Sequence, residues 1–335
     1  MRATAPAWLG AARPDALRVV ALGGGHGLAA TLGALRHVTR DVTAVVTVAD
    51  DGGSSGRLRQ ELGVLPPGDL RMALAALCDE SDWGHTWADV LQHRFSSDGP
   101  LDGHSVGNLL IVALWELLGD PVAGLDLIGQ LLGSRGRVVP MAAVPLGIEA
   151  EVQLPNGPTD QPTVVRGQSR VAVTSGRVTK VRLTPEEPPA CEEAVTSIMG
   201  ADWVILGPGS WYTSVMPHLL VPGIARALHE TSARIALTLN LSTQAGETDG
   251  FSAADHLRSL REYAPDLRVD VVIADPGAVE DLDDLSAAVS TVGGAMLLRQ
   301  VSAGDGTPRH DTLRLAAAYR DAFDRFLSDV GERSR

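Results

Sequence analysis

The residues able to do chemistry gather in short polar strings that follow apolar, β-like runs. The first is Gly23–Leu28 (GGGHGL), between the run Arg18–Leu22 and the helical spacing of Leu28, Leu32 and Leu35. Glycines let a backbone approach a phosphate closely, and a helix that starts there offers free N–H groups and a positive dipole end. Gly23, Gly24, Gly25, His26 and Gly27 are therefore candidate ligand contacts. Gly25, Gly27 and Ala30 also fit the dinucleotide fingerprint G-x-G-x-x-A, with Asp50 at the end of the next β-branched run as the ribose-binding acid. The other reading is a glycine turn that only permits tight packing.

The second string is Val48–Arg59 (VADDGGSSGRLR). Asp50 and Asp51 leave the carboxyl end of a strand, where they can hold Mg²⁺, bind ribose hydroxyls or act as a base. They are the catalytic and metal candidates. Ser54 and Ser55 add donors, and Arg57 and Arg59 can neutralise phosphate. The plain alternative for Asp51–Gly53 is a turn.

Four more strings follow. In PPGDLR, Asp69 is expected to cap the next helix, and Arg71 either faces the crevice or pairs with Asp69. In LDGHSVGNLLI, His104, Ser105 and Asn108 stand at a helix start. Asn108 is a candidate ligand contact, and His104 is either catalytic or a capping residue. Nothing nearby completes a Ser-His-Asp triad, which excludes that hydrolase class. In GPGSWYTS, Gly207, Gly209 and Ser210 can form an anion-binding nest, while Tyr212 packs either on a base or sugar or inside the loop. Asn240 opens NLSTQAGETDG after the run Arg234–Leu239 and would line the same edge. Arg309, in RHDT, is either a phosphate clamp or a surface arginine. It precedes a helix capped by Asp311 or Thr312, whose N–H groups could also point into the crevice.

Composition narrows the function. The chain has 335 residues, 44% of them hydrophobic, and a net charge of -13, which disfavours nucleic acid and anionic membranes as partners. Lys180 is the single lysine, so no P-loop is present, and phosphates must be held by arginine, backbone N–H groups and helix starts. Cys78 and Cys191 read as reduced core thiols. Residues 1–17 carry no sustained apolar stretch and read as a flexible tail without a secretory signal. The apolar run Asn108–Leu118 is too short to span a bilayer. A cytoplasmic protein with no membrane span is expected.

The elements that must position these strings alternate in the manner of an α/β protein. The spacing predicts strands at Arg18–Leu22, Val42–Ala49, Trp203–Leu206, Arg234–Leu239, Val269–Ile273 and Ala295–Gln300, and a last helix over Thr312–Leu327. Residues 69–135 read as helical, with breaks at Trp83–Gly84 and Ser96–Gly103. Residues from about 138 to 186 read as a β-rich antiparallel insertion. Its runs are Thr163–Val165, Val171–Thr174 and Val178–Leu183, and its turns are Asn156–Gly157 and Ser175–Gly176. The expected fold is one Rossmann-like three-layer α/β/α domain over residues 18–330, with a mostly parallel sheet whose carboxyl ends converge on one crevice.

The strings GGGHGL, TAVVTVADDGGSSGRLR, PPGDLR, GHSVGNLL, RGRVVP, ADWVILGPGSWYTS and TQAGETDGFSAADH resemble the CofD-like family, and its YvcK branch in particular, from about Arg18 to the last helix. His26 stands where threonine is common in that family, Met72 where asparagine often follows the arginine, and His218 where asparagine is usual. The resemblance implies a Rossmann-like fold. The CofD branch consists of 2-phospho-L-lactate transferases, which move phospholactate from a nucleotide-activated donor to a deazaflavin alcohol with Mg²⁺. The YvcK branch, the gluconeogenesis factors, implies a regulator that binds UDP-N-acetylglucosamine and is linked to gluconeogenic growth, cell shape and envelope precursors. The leading expectation is such a UDP-sugar-binding regulator. It would need no cofactor, Mg²⁺ being optional, and its candidate partners are an amino-sugar biosynthetic enzyme and a second copy of the chain. A phospholactate transferase is the enzyme alternative, and an NAD-binding oxidoreductase ranks last.

Overall fold

The computed structural model describes residues 16–154 and 162–333. Ten strands follow in chain order: β1 (Arg18–Gly23), β2 (Asp41–Val46), β3 (Arg137–Pro140), β4 (Gly147–Gln153), β5 (Thr163–Arg166), β6 (Arg177–Thr184), β7 (Trp203–Leu206), β8 (Arg234–Thr238), β9 (Val271–Ala274) and β10 (Ala295–Leu298). Seven of them form one sheet in the order β10-β9-β8-β7-β1-β2-β3. All its pairings are parallel. The central strands are apolar on both faces, and β7 and β9 are buried at every position. That pattern suits a parallel sheet covered by helices on both sides. The helix Gly25–Leu35 packs on Gly68–Leu77 and on the last helix, Thr312–Arg333, while Glu192–Gly200 packs on Pro222–Glu230.

Chain order reverses between β1 and β7. The chain steps outward from β1 to β3, returns to the other side of β1 at β7, and steps outward again to β10. The loops that follow β1 and β7 therefore meet at the carboxyl edge at this reversal point, the usual place of a ligand crevice in an open α/β sheet.

The insertion is a three-stranded antiparallel sheet, β5-β4-β6. Its expected limits need correction. Residues 138–140 belong to β3 of the main sheet, because Val138–Pro140 are buried and pair with Ala44–Val46. The run Val171–Thr174 is no strand. Gln168–Val171 is a helical turn, Val171 alone points inward, and the chain turns through Ser175–Gly176 into β6. The break expected at Trp83–Gly84 is instead the first turn of the helix Asp82–Gln92, where Ser81 accepts from the Gly84 N–H. The turn Asn156–Gly157 and residues 1–15 of the N-terminal segment lie outside the described residues. Among the described residues no helix is long and apolar enough to cross a membrane.

Candidate functional site

The glycine string after β1 caps the helix Gly25–Leu35 at the reversal point. Gly25 sits at φ 56°, a left-handed backbone that favours glycine. Gly27 is required by contact: a methyl group there would overlap the Pro208 carbonyl and the Gly209 backbone. The loops after β1 and β7 thus touch through glycine. Beside this contact lies a crevice of about 470 Å³ lined by His26, Gly27, Gly209, Asn240, Gln244 and Arg309, among others. The helix Gly25–Leu35 and the loop after β7 are tied to the last helix. Tyr319, fully buried, lies with its hydroxyl 3.2 Å from Thr31 and Thr238, and Thr31 donates to the Gly207 carbonyl at 3.0 Å.

The loop after β7 is held from within. Asn240 accepts from the Gly209 N–H and donates to the Gly209 carbonyl, both at 2.9 Å. Gln244 accepts from the Trp211 N–H. Glu247, 3% exposed, accepts from the Tyr212 N–H at 2.8 Å and from the Thr213 hydroxyl at 2.6 Å. Burial raises the Glu247 carboxyl pKa against the pull of these donors. One expectation is corrected here, and one left open between two readings is decided. The Gly207–Ser210 nest does not have the Gly209 N–H to offer a ligand, because Asn240 takes it. Tyr212 is a core residue at 3% exposure, packed against Phe251 and Tyr263, and does not face a base or sugar.

Arg309 does line the crevice, and its guanidinium is held by Asp305 at 2.8 Å and by Thr307. The hydrogen bonds of Asp305 to Thr307 and Arg309 hold its carboxyl pKa down at about 2. The start of the last helix is closed by Asp311, which accepts from the N–H groups of Leu313 and Arg314. That confirms Asp311 as the cap and removes those N–H groups from the crevice.

The carboxylates are arranged differently from the sequence expectation. Asp51 is exposed and turned toward the insertion, where it accepts from the Ser169 N–H at 2.8 Å. Asp50 accepts from the Gly52 N–H at 2.9 Å and faces Gly68. Asp69 is no cap, since Pro67 occupies that position without side-chain bonding. It packs under the Gly24–Gly25 turn instead, and burial together with the nearby Asp50 charge pushes its carboxyl up to about 7. Asp50 and Asp69 are thus close enough for the charge of one to act on the other. Asp50 and Asp51, the expected metal pair, are bonded to different partners, the Gly52 and Ser169 N–H groups. Among the described residues no group of three His, Cys, Asp or Glu is placed around a metal ion. Two carboxylates do suit Mg²⁺, which fills its shell with water and phosphate oxygens.

Ser54 and Asn108 are buried and bonded to each other at 3.0 Å, and Asn108 also accepts from Arg71. Burial raises the Asp50 carboxyl pKa, and the Gly52 N–H and the Ser55 hydroxyl work against that rise. Arg57 is exposed and reaches the Asp102 carbonyl at 2.6 Å, so it braces the loop before the helix Val106–Leu118 and does not face the Arg309 crevice.

The family model for 2-phospho-L-lactate transferase CofD matches residues 19–289. The chain belongs to the CofD-like family. Within it the relatives are gluconeogenesis factors. The Bacillus subtilis gluconeogenesis factor is 39% identical over 267 residues, 80% of each protein. That of Halalkalibacterium halodurans is 34% identical over 330 residues, covering 93% of this chain and 98% of the relative. A Mycobacterium tuberculosis protein with the same designation in provisional form is 54% identical over 303 residues, 89% of this chain and 88% of that protein. A crystal structure of a UPF0052-family protein from Bacillus halodurans superposes with TM-score 0.80 at 34% identity, covering 90% of this chain and 98% of that one.

Against the CofD-like pattern, the three departures fall in different places. His26 lines the crevice, Met72 is half-buried in the helix Gly68–Leu77, and His218 is fully buried with its Nε2 3.1 Å from the Val45 carbonyl. Sequence reasoning missed Asp69 as the carboxylate under the Gly24–Gly25 turn and Glu247 as the brace of the loop after β7. The available signals were an acid directly after Pro-Pro-Gly and a lone glutamate within NLSTQAGETDG.

Proposed function

We propose that the crevice at the β1/β7 reversal binds a sugar nucleotide, UDP-N-acetylglucosamine in the leading form of the reading, and that binding is the signal of a regulator. The observation that carries this is the 470 Å³ crevice in which Gly27, Gly209 and Arg309 come together. In a chain with a single lysine, the diphosphate would take its cation from Arg309 and its close approach from the glycine turn. The uracil and amino sugar would occupy the rest of the crevice, toward Asn240 and Gln244. Regulation of carbon flow into envelope precursors and of cell shape, through an amino-sugar biosynthetic enzyme in the cytoplasm, follows this reading.

The pair Asp50–Asp69 favours a second reading, transfer of a phospholactate-type group. Mg²⁺ held there would neutralise phosphate charge as the leaving group departs. Calorimetric titration of UDP-N-acetylglucosamine, NAD and a deazaflavin in parallel separates these readings and the oxidoreductase one. The sugar nucleotide is expected to bind, and Arg309→Ala to weaken it roughly tenfold to hundredfold. Binding of NAD alone, or unchanged affinity in a folded Arg309→Ala protein, contradicts the proposal.

A further inference from the structure

Three helices begin at one place: Gly53–Leu62, Gly68–Leu77 and Val106–Leu118. Their first turns contribute Ser54, Arg71 and Asn108. The Asn108 Oδ1 accepts from Arg71 Nε, the Asn108 Nδ2 donates to Ser54 Oγ, and Ser54 Oγ meets His104 Nδ1, each at 3.0 Å. Arg71 is 3% exposed, Ser54 3% and Asn108 1%. The site is shaped around the arginine. A Cβ on Gly107 would stand 2.8 Å from Arg71 Cδ, so glycine there lets the side chain lie across the helix start.

One nitrogen in this network is left open. Arg71 Nη1 is buried with no hydrogen-bond partner among the described residues. A buried guanidinium nitrogen without an acceptor is costly. Its neighbours add to the cost. Arg94 acts on Arg71 and Arg57 on His104, and three helix starts bring their positive ends together, while Asp69 and Asp50 act on Arg71 in the opposite sense. Burial is the largest influence on Arg71 and lowers its pKa to about 10, so it stays charged at neutral pH. Asp69 and Asp50 balance part of this charge but leave Nη1 without a hydrogen bond, so the open nitrogen still calls for an acceptor.

We propose that Arg71, Ser54 and Asn108 form a second anion site, which takes the phosphate dianion of a small phosphorylated molecule while the nucleotide crevice is filled. None of these residues lines the crevice of Arg309. The proposal goes beyond the sugar-nucleotide reading and does not depend on it. A phosphate oxygen completes Nη1, and the helix starts share its charge.

The test uses the full chain and inorganic phosphate as probe, at constant ionic strength against chloride, read by calorimetry and melting temperature. Saturable phosphate binding is expected, and it persists in saturating UDP-N-acetylglucosamine. Arg71→Lys is expected to weaken it roughly tenfold to hundredfold. Since a buried change can cost folding, Asn108→Asp supplies a second reading. It keeps the side-chain size, places negative charge beside Arg71, and is expected to abolish phosphate binding in a folded protein. Absence of phosphate binding, its displacement by the nucleotide, or unchanged affinity in either folded variant overturns the second site.

Discussion

At the residue scale the crevice depends on atoms that are absent. Gly27 has no room for a side chain because the Pro208 carbonyl occupies it. Gly27→Ala must push apart the loops after β1 and β7. The expected cost is about 1–3 kcal/mol, as for other overpacking changes, seen as a lower melting temperature with nucleotide affinity lost. An unchanged melting temperature contradicts the close approach. Asp69 carries a pH signature. Its folded pKa of about 7 lies above the ordinary 3.8, so the folded protein holds a proton that the unfolded chain releases. The stability this contributes is fully present below about pH 4 and is lost as pH rises through 7. Asp69→Asn, which has no proton to lose, is expected to melt increasingly above wild type between pH 5 and pH 8. A constant difference across that range contradicts the assignment.

At the scale of elements, the loop after β7 keeps its shape because side chains from the loop after β8 fill its N–H groups. Glu247 serves two residues of Trp211–Val215 and Asn240 serves Gly209. Glu247→Gln places an NH₂ against donors that need an acceptor. About 1–3 kcal/mol of stability should be lost in urea unfolding, with weaker nucleotide binding as Gly209 loosens. Full stability in that variant contradicts the bracing role. Six of the seven strands of the main sheet were legible in the sequence because parallel strands buried on both faces read as continuous apolar runs, whereas β3 was read as part of the insertion. The glycine strings were legible because they sit at strand ends. Asp69, Glu247 and the inward turn of Tyr212 were not, since each is decided by a partner far along the chain. Asp69 meets Gly24, and Tyr212 meets Glu247 and Ser259. Val171–Thr174 misled for a local reason. A four-residue run with three β-branched side chains fits a strand, yet with only Val171 buried it became the end of a helical turn.

At the scale of the whole molecule, one reversal of strand order brings together segments more than 280 residues apart, Gly27 and Arg309, and places them on one crevice. The insertion is fastened to the same edge. Asp51 meets Ser169, Arg59 donates to the Leu146 carbonyl at 2.6 Å, and Gly246 packs on the backbone of Ala172 and Thr174. Segment Gly167–Thr174 therefore bridges the loops after β2 and β8, so a ligand that moves either loop also moves the insertion. That gives a regulator a surface on which to display occupancy. The central claim is that the β1/β7 crevice is the nucleotide site. The most direct measurement is a crystal structure of the chain with UDP-N-acetylglucosamine. The account predicts the diphosphate beside Gly27 and Gly209, with Arg309 released from Asp305 and bonded to a phosphate oxygen. A nucleotide seated elsewhere, with Arg309 still on Asp305, would contradict it.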